Sequence, residues 1–253
     1  MRLALTRHAG PRDAPPLVIA HGLFGSGRNW GVLARRLAEG REVLAVDMRN
    51  HGASDWADDH GYGPMAADLA ETIAAETDGP VDLLGHSMGG KAAMMLALAG
   101  DAPLRRLVVA DIAPVAYGHS QMDLVRAMQA LDLSGISTRA EADAALAPAV
   151  PEAQVRAFLL QSLDVRAKAW RLNLDALAAS MDEIVGWPDP LGRWDGPALF
   201  LRGGASGYVT DAHRAGIERL FPAARIELVE GAGHWLHAEA PRETEAAVAA
   251  FLG

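Results

Sequence analysis

Val81-Asp-Leu-Leu-Gly85-His-Ser87-Met-Gly89-Gly90-Lys91-Ala-Ala-Met-Met-Leu-Ala-Leu-Ala99 passes from an apolar run of strand character, through a glycine-flanked serine, into a stretch whose apolar residues recur at helical spacing. A sharp strand-to-helix turn crowds the residues two before and two after its central serine, and glycine at 85 and 89 lets the backbone fold there without a clash. The spacing therefore predicts that Ser87 is held up at the end of a strand. Behind it the start of a helix supplies a positive dipole and free N–H groups, which favour negative charge developing nearby. The strand before and the helix after separate this Gly-x-Ser-x-Gly from the chance matches that glycine-rich turns produce.

Outward from that turn, short apolar runs recur at residues 17–20, 43–46, 107–110, 198–201 and 226–229, each followed within two residues by Gly, Asp, Glu or His. Continuous apolar runs, unlike alternating ones, suit strands covered on both faces, as in a parallel sheet. Between them, residues 29–39, 64–77 and 89–99 carry apolar side chains three and four apart. Strand and helix in alternation predict an α/β fold with a doubly wound, mostly parallel sheet. The rhythm breaks from Tyr117 to Trp187, where no strand signal appears and helices are predicted over 122–131, 139–146, 152–163 and 165–184. The expected organisation is an α/β core of residues 1–116 and 188–253 interrupted by a helical cap, 117–187. Ligands of open α/β sheets bind outside the carboxyl ends of the strands, so such an insertion would roof that crevice.

Composition narrows the function. Half of the 253 residues are apolar and 22% are charged, too hydrophobic a balance for a disordered chain. Thirty-two Asp and Glu outnumber 23 Lys and Arg, leaving a net charge of −9 and no basic stretch, which argues against nucleic acid as a partner. The absence of cysteine excludes disulfides, thiolate metal sites and a cysteine nucleophile together. The N-terminal MRLALTRHAG has no signal-peptide core, and no apolar run approaches the ~20 residues that span a bilayer, so a cytoplasmic protein with no membrane insertion is expected.

The remaining chemistry gathers around Ser87. After the run 17–20 comes His21-Gly-Leu-Phe-Gly-Ser26, a loop placed to lend one backbone N–H to an oxyanion hole, the other coming from the residue after the serine. Leu23 and Met88 are the expected donors, with Phe24 as an alternative, and His21 is expected to brace the loop. A triad in the order serine, acid, histidine puts the base after the last strand. There Glu230-Gly-Ala-Gly233-His234-Trp-Leu-His237 offers His234, with His237 expected in a supporting hydrogen-bonding role. No third ligand stands at a spacing that would make the two histidines a metal site, so neither metal nor cofactor is expected.

The acid is less direct. The pattern G-x-x-D-x-x-V would put it in Gly203-Gly-Ala-Ser206-Gly-Tyr-Val209, where serine holds the aspartate's place. A neutral hydroxyl cannot stabilise an imidazolium as a carboxylate does. Asp111, at the end of the strand 107–110, is the expected substitute, with Asp211 as the alternative and Ser206 as a turn hydroxyl that also reaches His234. Phe24, Tyr208 and Trp235 are expected to contact substrate. Trp30, Met88, Met122, Met128, Phe158 and Trp170 are candidates for an apolar acyl pocket. Arg126, Arg156, Arg166, Lys168 and Arg171 of the cap could meet CoA phosphates or form a solvated face.

HGLFGS at 21–26, DMRNHGAS at 47–54, GHSMGGK at 85–91, DIAPVAY at 111–117, LRGGASGYV at 201–209 and GHWLHAEAP at 233–241 together resemble the α/β-hydrolase fold family over essentially the whole chain. They are most similar to its small bacterial esterase and acyl-CoA thioesterase group, which has mitochondrial counterparts. Asn50, where glycine is usual, and the serine in place of the acid both fit that group. The resemblance implies a helical cap inserted after the family's sixth strand, and hydrolysis of short to medium acyl esters, with acyl-CoA thioesters as further candidates, through Ser87, His234 and Asp111. A carbon–carbon bond hydrolase, a cofactor-free haloperoxidase and a slow-turnover ligand-binding receptor are compatible with the same residues. Assembly into a homodimer is compatible with a sequence that carries no signal deciding it.

Overall fold

The most apolar runs of the chain become the middle of one sheet. In the computed structural model, which describes residues 1–188, 190 and 192–253, the first half of the chain forms β1 (Leu5–His8), β2 (Leu17–Ala20), α1 (Gly31–Leu37), β3 (Val43–Val46), α2 (Tyr62–Glu76), β4 (Val81–His86), α3 (Met88–Ala99) and β5 (Leu104–Ala110). Every residue of β2, β3 and β4 is buried, because helices cover both faces. The sheet order is β1-β3-β2-β4-β5, continued by β8 (Ala198–Gly203) and β9 (Ala224–Val229), and all neighbours are parallel except β1 with β3. Strand periodicity sorts the side chains: Val18 and Leu83 face α2 and α3, while Ile19 and Leu84 face α1 and the C-terminal helix. Burying each such Leu, Ile or Val contributes about 1.5–3 kcal/mol before entropy is counted.

Between β5 and β8 lie α4 (Met122–Ala130), α5 (Arg139–Leu146), α6 (Ala153–Leu159), β6 (Leu163–Asp164), β7 (Ala169–Trp170), α7 (Leu174–Ala179) and α8 (Met181–Val185). After β8 come α9 (Arg214–Leu220), β9, α10 (Leu236–Glu239) and α11 (Pro241–Leu252). The insertion packs Val125, Met128, Leu146, Leu159 and Trp170 into the apolar interior that it shares with the α2 and α3 side of the sheet.

Two expectations need correction. Residues 165–184 are not one helix, and the insertion is not free of strands: β6 and β7 pair as a short antiparallel hairpin whose turn carries Lys168 at φ +55°. Asp164 fixes that turn by accepting the Ala167 N–H at 3.0 Å and pairing with Arg171 at 2.7 Å, and Asn173 then starts α7 by capping the Ala176 N–H. The insertion leaves β5, the fifth strand in this chain's own order. β1 is the unannounced strand, an edge strand whose Thr6 and Arg7 are exposed and whose LTRH therefore shows no apolar run.

Candidate active site

The turn at Ser87 is built as its glycines require. Ser87 sits at φ 52°, ψ −120°, a region that costs a non-glycine residue about 1–3 kcal/mol, and the turn is tied down by the Ser87 N–H to Ala110 O at 3.1 Å. A Cβ on Gly85 would stand 2.3 Å from Gly89 O, and one on Gly89 would stand 2.4 Å from His21 O. Both glycines are therefore demanded by space.

Ser87 Oγ donates to His234 Nε2 at 3.0 Å, and His234 Nδ1–H donates to Asp111 Oδ2 at 2.8 Å. The histidine reaches this place because the loop after β9 packs against the end of β8, where a Cβ on Gly203 would meet Gly233 O at 2.2 Å. Its own carbonyl accepts the His86 Nε2–H at 2.8 Å, which anchors the loop to the end of β4. Asp111 is fully buried at φ +50°, and its carboxylate also accepts the Gly203 N–H at 2.9 Å and the Ser206 hydroxyl at 2.5 Å. Asp211, the alternative acid, instead pairs with Arg202 at 2.9 Å with its side chain 85% exposed. The Ser206 hydroxyl bonds Asp111 rather than His234, a correction that explains how a serine is useful at that position: it holds the acid that comes from another strand.

Leu23 and Met88 line the cavity beside Ser87, and among the described residues neither backbone N–H has a protein acceptor. The Phe24 N–H is taken by His51 Nε2 at 3.1 Å, which removes it as an oxyanion donor. His21 braces this loop as its position suggested, donating from Nδ1 to Gly22 O at 2.8 Å and accepting the Met48 N–H at Nε2 at 2.9 Å. Burial pushes His21 down to about 4 and keeps it neutral. His237 does not make the supporting hydrogen bond expected of it. Its Nδ1 is buried without a partner among the described residues, and the ring stacks on Trp30 with centroids 4.3 Å apart.

The cavity above Ser87 has a volume of about 300 Å³. Phe24, Tyr208 and Trp235 line it, as do Trp30, Met88 and Phe158. Tyr208 also stacks on the His234 ring, centroids 4.0 Å apart and 21° from parallel. Met122, Met128 and Trp170 do not line it: Met128 and Trp170 are joined inside the insertion by a Trp170 Nε1–H to Met128 O bond at 3.0 Å, and Met122 packs against the same apolar interior. Leu124, Val155, Ile184 and Val185 take their places. None of the five basic cap residues reaches the cavity, and Arg126, Arg156 and Arg171 are paired with Asp123, Asp143 and Asp164.

Lys91 is the wall residue that sequence reading passed over, although it stands four residues beyond Ser87 in GHSMGGK. Its Nζ donates to Val185 O at 3.1 Å and Gly186 O at 2.5 Å, lies 4.9 Å from the Tyr117 ring centroid, and is pushed by burial to about 7. Tyr62 joins it by donating its hydroxyl to Ile184 O at 2.5 Å, so both residues satisfy carbonyls left open at the end of α8.

A serine hydroxyl, a base able to take its proton, a carboxylate behind that base and two cavity-lining residues whose backbone N–H groups have no acceptor among the described residues form an arrangement suited to acyl transfer. Fold and site together define an α/β hydrolase. The chain belongs to the alpha/beta hydrolase family, whose profile matches residues 17–247. It is 42% identical over 253 residues to the sn-1-specific diacylglycerol lipase ABHD11 of Mus musculus, covering 96% of this chain and 82% of that one. It is 41% identical over 238 residues to Esterase YbfF of Escherichia coli (strain K12), covering 94% and 92%. A solved structure described as a marine microorganism esterase superposes with a TM-score of 0.93 at 35% identity, covering 99% of both chains. No helix among the described residues is long and apolar enough to cross a membrane.

Proposed function

We propose that the protein is a serine esterase that cleaves short to medium acyl esters through an acyl-enzyme on Ser87. The observation that carries this reading is the unbroken hydrogen-bonded chain from Ser87 through His234 to buried Asp111 on the floor of a mostly apolar cavity. His234 Nε2 takes the serine proton as Oγ bonds to the acyl carbon, and the Leu23 and Met88 N–H groups receive the oxyanion. The alkoxide leaves with the proton from His234. Water then attacks the acyl-enzyme, giving its proton to His234, which returns it to Ser87 as the acid departs. Asp111 stabilises the imidazolium in both halves.

Oxygen esters are favoured over CoA thioesters, because none of the five basic cap residues lines the cavity and three of them, Arg126, Arg156 and Arg171, are paired with carboxylates. Names of esterases and lipases among the relatives agree with this reading, and the lipase name suggests a single acyl arm of a glyceride as one natural ligand. The test is a multiple-turnover panel of nitrophenyl esters from acetate to palmitate and the matching acyl-CoAs, with Ser87→Ala as control. Turnover is expected to peak between butyrate and octanoate, to be slower on acyl-CoAs, and to fall to background in Ser87→Ala. Unchanged activity in that variant, or a single burst without turnover, would contradict the proposal.

A further inference from the structure

Phe24 follows the Leu23 oxyanion donor and sits at φ +63°, a left-handed conformation in which a bulky residue is strained and needs its neighbours to hold it. Both polar groups of its backbone are held. The N–H donates to His51 Nε2 at 3.1 Å, and the carbonyl accepts the Ser162 hydroxyl at 2.7 Å. His51 is fully buried, and its Nδ1–H donates to Arg49 O at 2.8 Å, which fixes the tautomer that leaves Nε2 as the acceptor. Burial pushes this ring down to about 3, so it stays neutral.

Ser162 belongs to the inserted segment, immediately before β6, and is buried. The insertion is also joined to the loop that carries His51. Arg171 N–H donates to Ser162 O and Gly52 N–H to Arg171 O, both at 2.8 Å, and Asn173 N–H donates to Asn50 O at 3.0 Å. These bonds close a ring that runs from Phe24 to Ser162, to Arg171, to Gly52 and His51, and back to Phe24. We infer that the insertion helps to build the oxyanion hole: Ser162 and His51 are positioning residues that clamp the Phe24 backbone from two sides and so aim the Leu23 N–H at the reacting carbonyl.

The inference rests on the serine esterase reading, and its test separates the two. Ser162→Ala and His51→Leu remove the two arms of the clamp, while Ser162→Thr keeps the hydroxyl and His51→Gln offers an amide oxygen in place of Nε2. For each, kcat and KM on nitrophenyl butyrate are measured together with the Ki of an aryl trifluoromethyl ketone. Ser87 Oγ adds to the carbonyl carbon of that ketone, its proton passes to His234, and the resulting oxyanion occupies the same hole. A misplacement of about 1 Å costs up to ~10²-fold, so Ser162→Ala is expected to lower kcat about tenfold and to raise Ki by the same factor, with KM within about twofold. Ser162→Thr should restore both, His51→Gln should lie between wild type and His51→Leu, and the Ser162→Ala/His51→Gln double variant should lose less than the product of the single losses. The inference is overturned if Ser162→Ala keeps its kcat and Ki while Ser87→Ala is inactive, or if it only lowers Tm. Full activity of Ser87→Ala would overturn the serine reading and this inference with it, a result that no behaviour of the Ser162 variants can imitate.

Discussion

Lowering the pH from 7.5 to 5.5 is expected to destabilise the fold steeply, because several histidines around the site are buried in the neutral form. Burial pushes His21 to about 4, His51 to about 3 and His237 to about 4, and it drives His60 and His86 well below the ordinary value of 6.5. The unfolded chain titrates each of them near 6.5, so below that pH the unfolded state binds more protons than the folded one. Stability that is fully present above pH 6.5 is lost as pH falls towards the folded values. Over the two units from 7.5 to 5.5, one such histidine changes the unfolded population by about tenfold, or about 1.4 kcal/mol. The three with stated values together remove about 4 kcal/mol, and His60 and His86 add in the same direction. Against a typical stability of about 5–15 kcal/mol that is a large share. Carboxyl groups of an unfolded chain titrate near ~4, below this window, whereas its histidines titrate within it, so the loss is assigned chiefly to the histidines. Urea unfolding followed by tryptophan fluorescence at pH 7.5, 6.5 and 5.5 measures it, and His51→Gln should flatten the dependence by about one histidine's share. A free energy of unfolding constant to within about 1 kcal/mol from pH 7.5 to 5.5 would refute the burial argument.

Asp111→Asn is expected to lower kcat by up to ~10⁴ on the serine-protease precedent, whereas Asp211→Asn, whose side chain is exposed, should stay within about twofold. Ser206→Ala deletes a donor to the same carboxylate and should cost about tenfold in kcat, the scale of a hydrogen bond to a charged group. A larger loss for Asp211→Asn in steady-state kinetics would reverse the assignment of the acid. Lys91, pushed from 10.5 to about 7, binds its proton less readily in the fold than in the unfolded chain, so stability should rise with pH between those values. Melting temperatures at pH 7 and 9.5 should show that rise for wild type and a flatter response for Lys91→Met, and equal slopes would count against a buried ammonium.

The sequence made the sheet legible where side chains are buried on both faces: β2 and β3 match their apolar runs residue for residue, and the glycines of GHSMGG announce a turn that steric crowding requires. It was silent where structure depends on partners distant in the chain. β1 draws its stability from pairing with β3 at the sheet edge, and the β6–β7 hairpin is too short for a period to appear. Ser87 and His234 could be read from local context. The choice of Asp111 over Asp211 depends on how distant loops meet: in three dimensions Asp111 accepts the His234 Nδ1–H at 2.8 Å while Asp211 pairs with Arg202 at 2.9 Å. His51, Ser162 and Lys91 carried no local signal of their work, because each acts on backbone groups of a segment far away in sequence.

The claim that Ser87 is the nucleophile is tested most directly by labelling with a fluorophosphonate and locating the adduct by mass spectrometry. One adduct per chain, on the peptide containing Ser87, formed in step with the loss of ester hydrolysis and suppressed in His234→Ala, is the predicted result. Stoichiometric labelling of a different residue, or full hydrolytic activity in protein whose Ser87 is completely modified, would contradict the account.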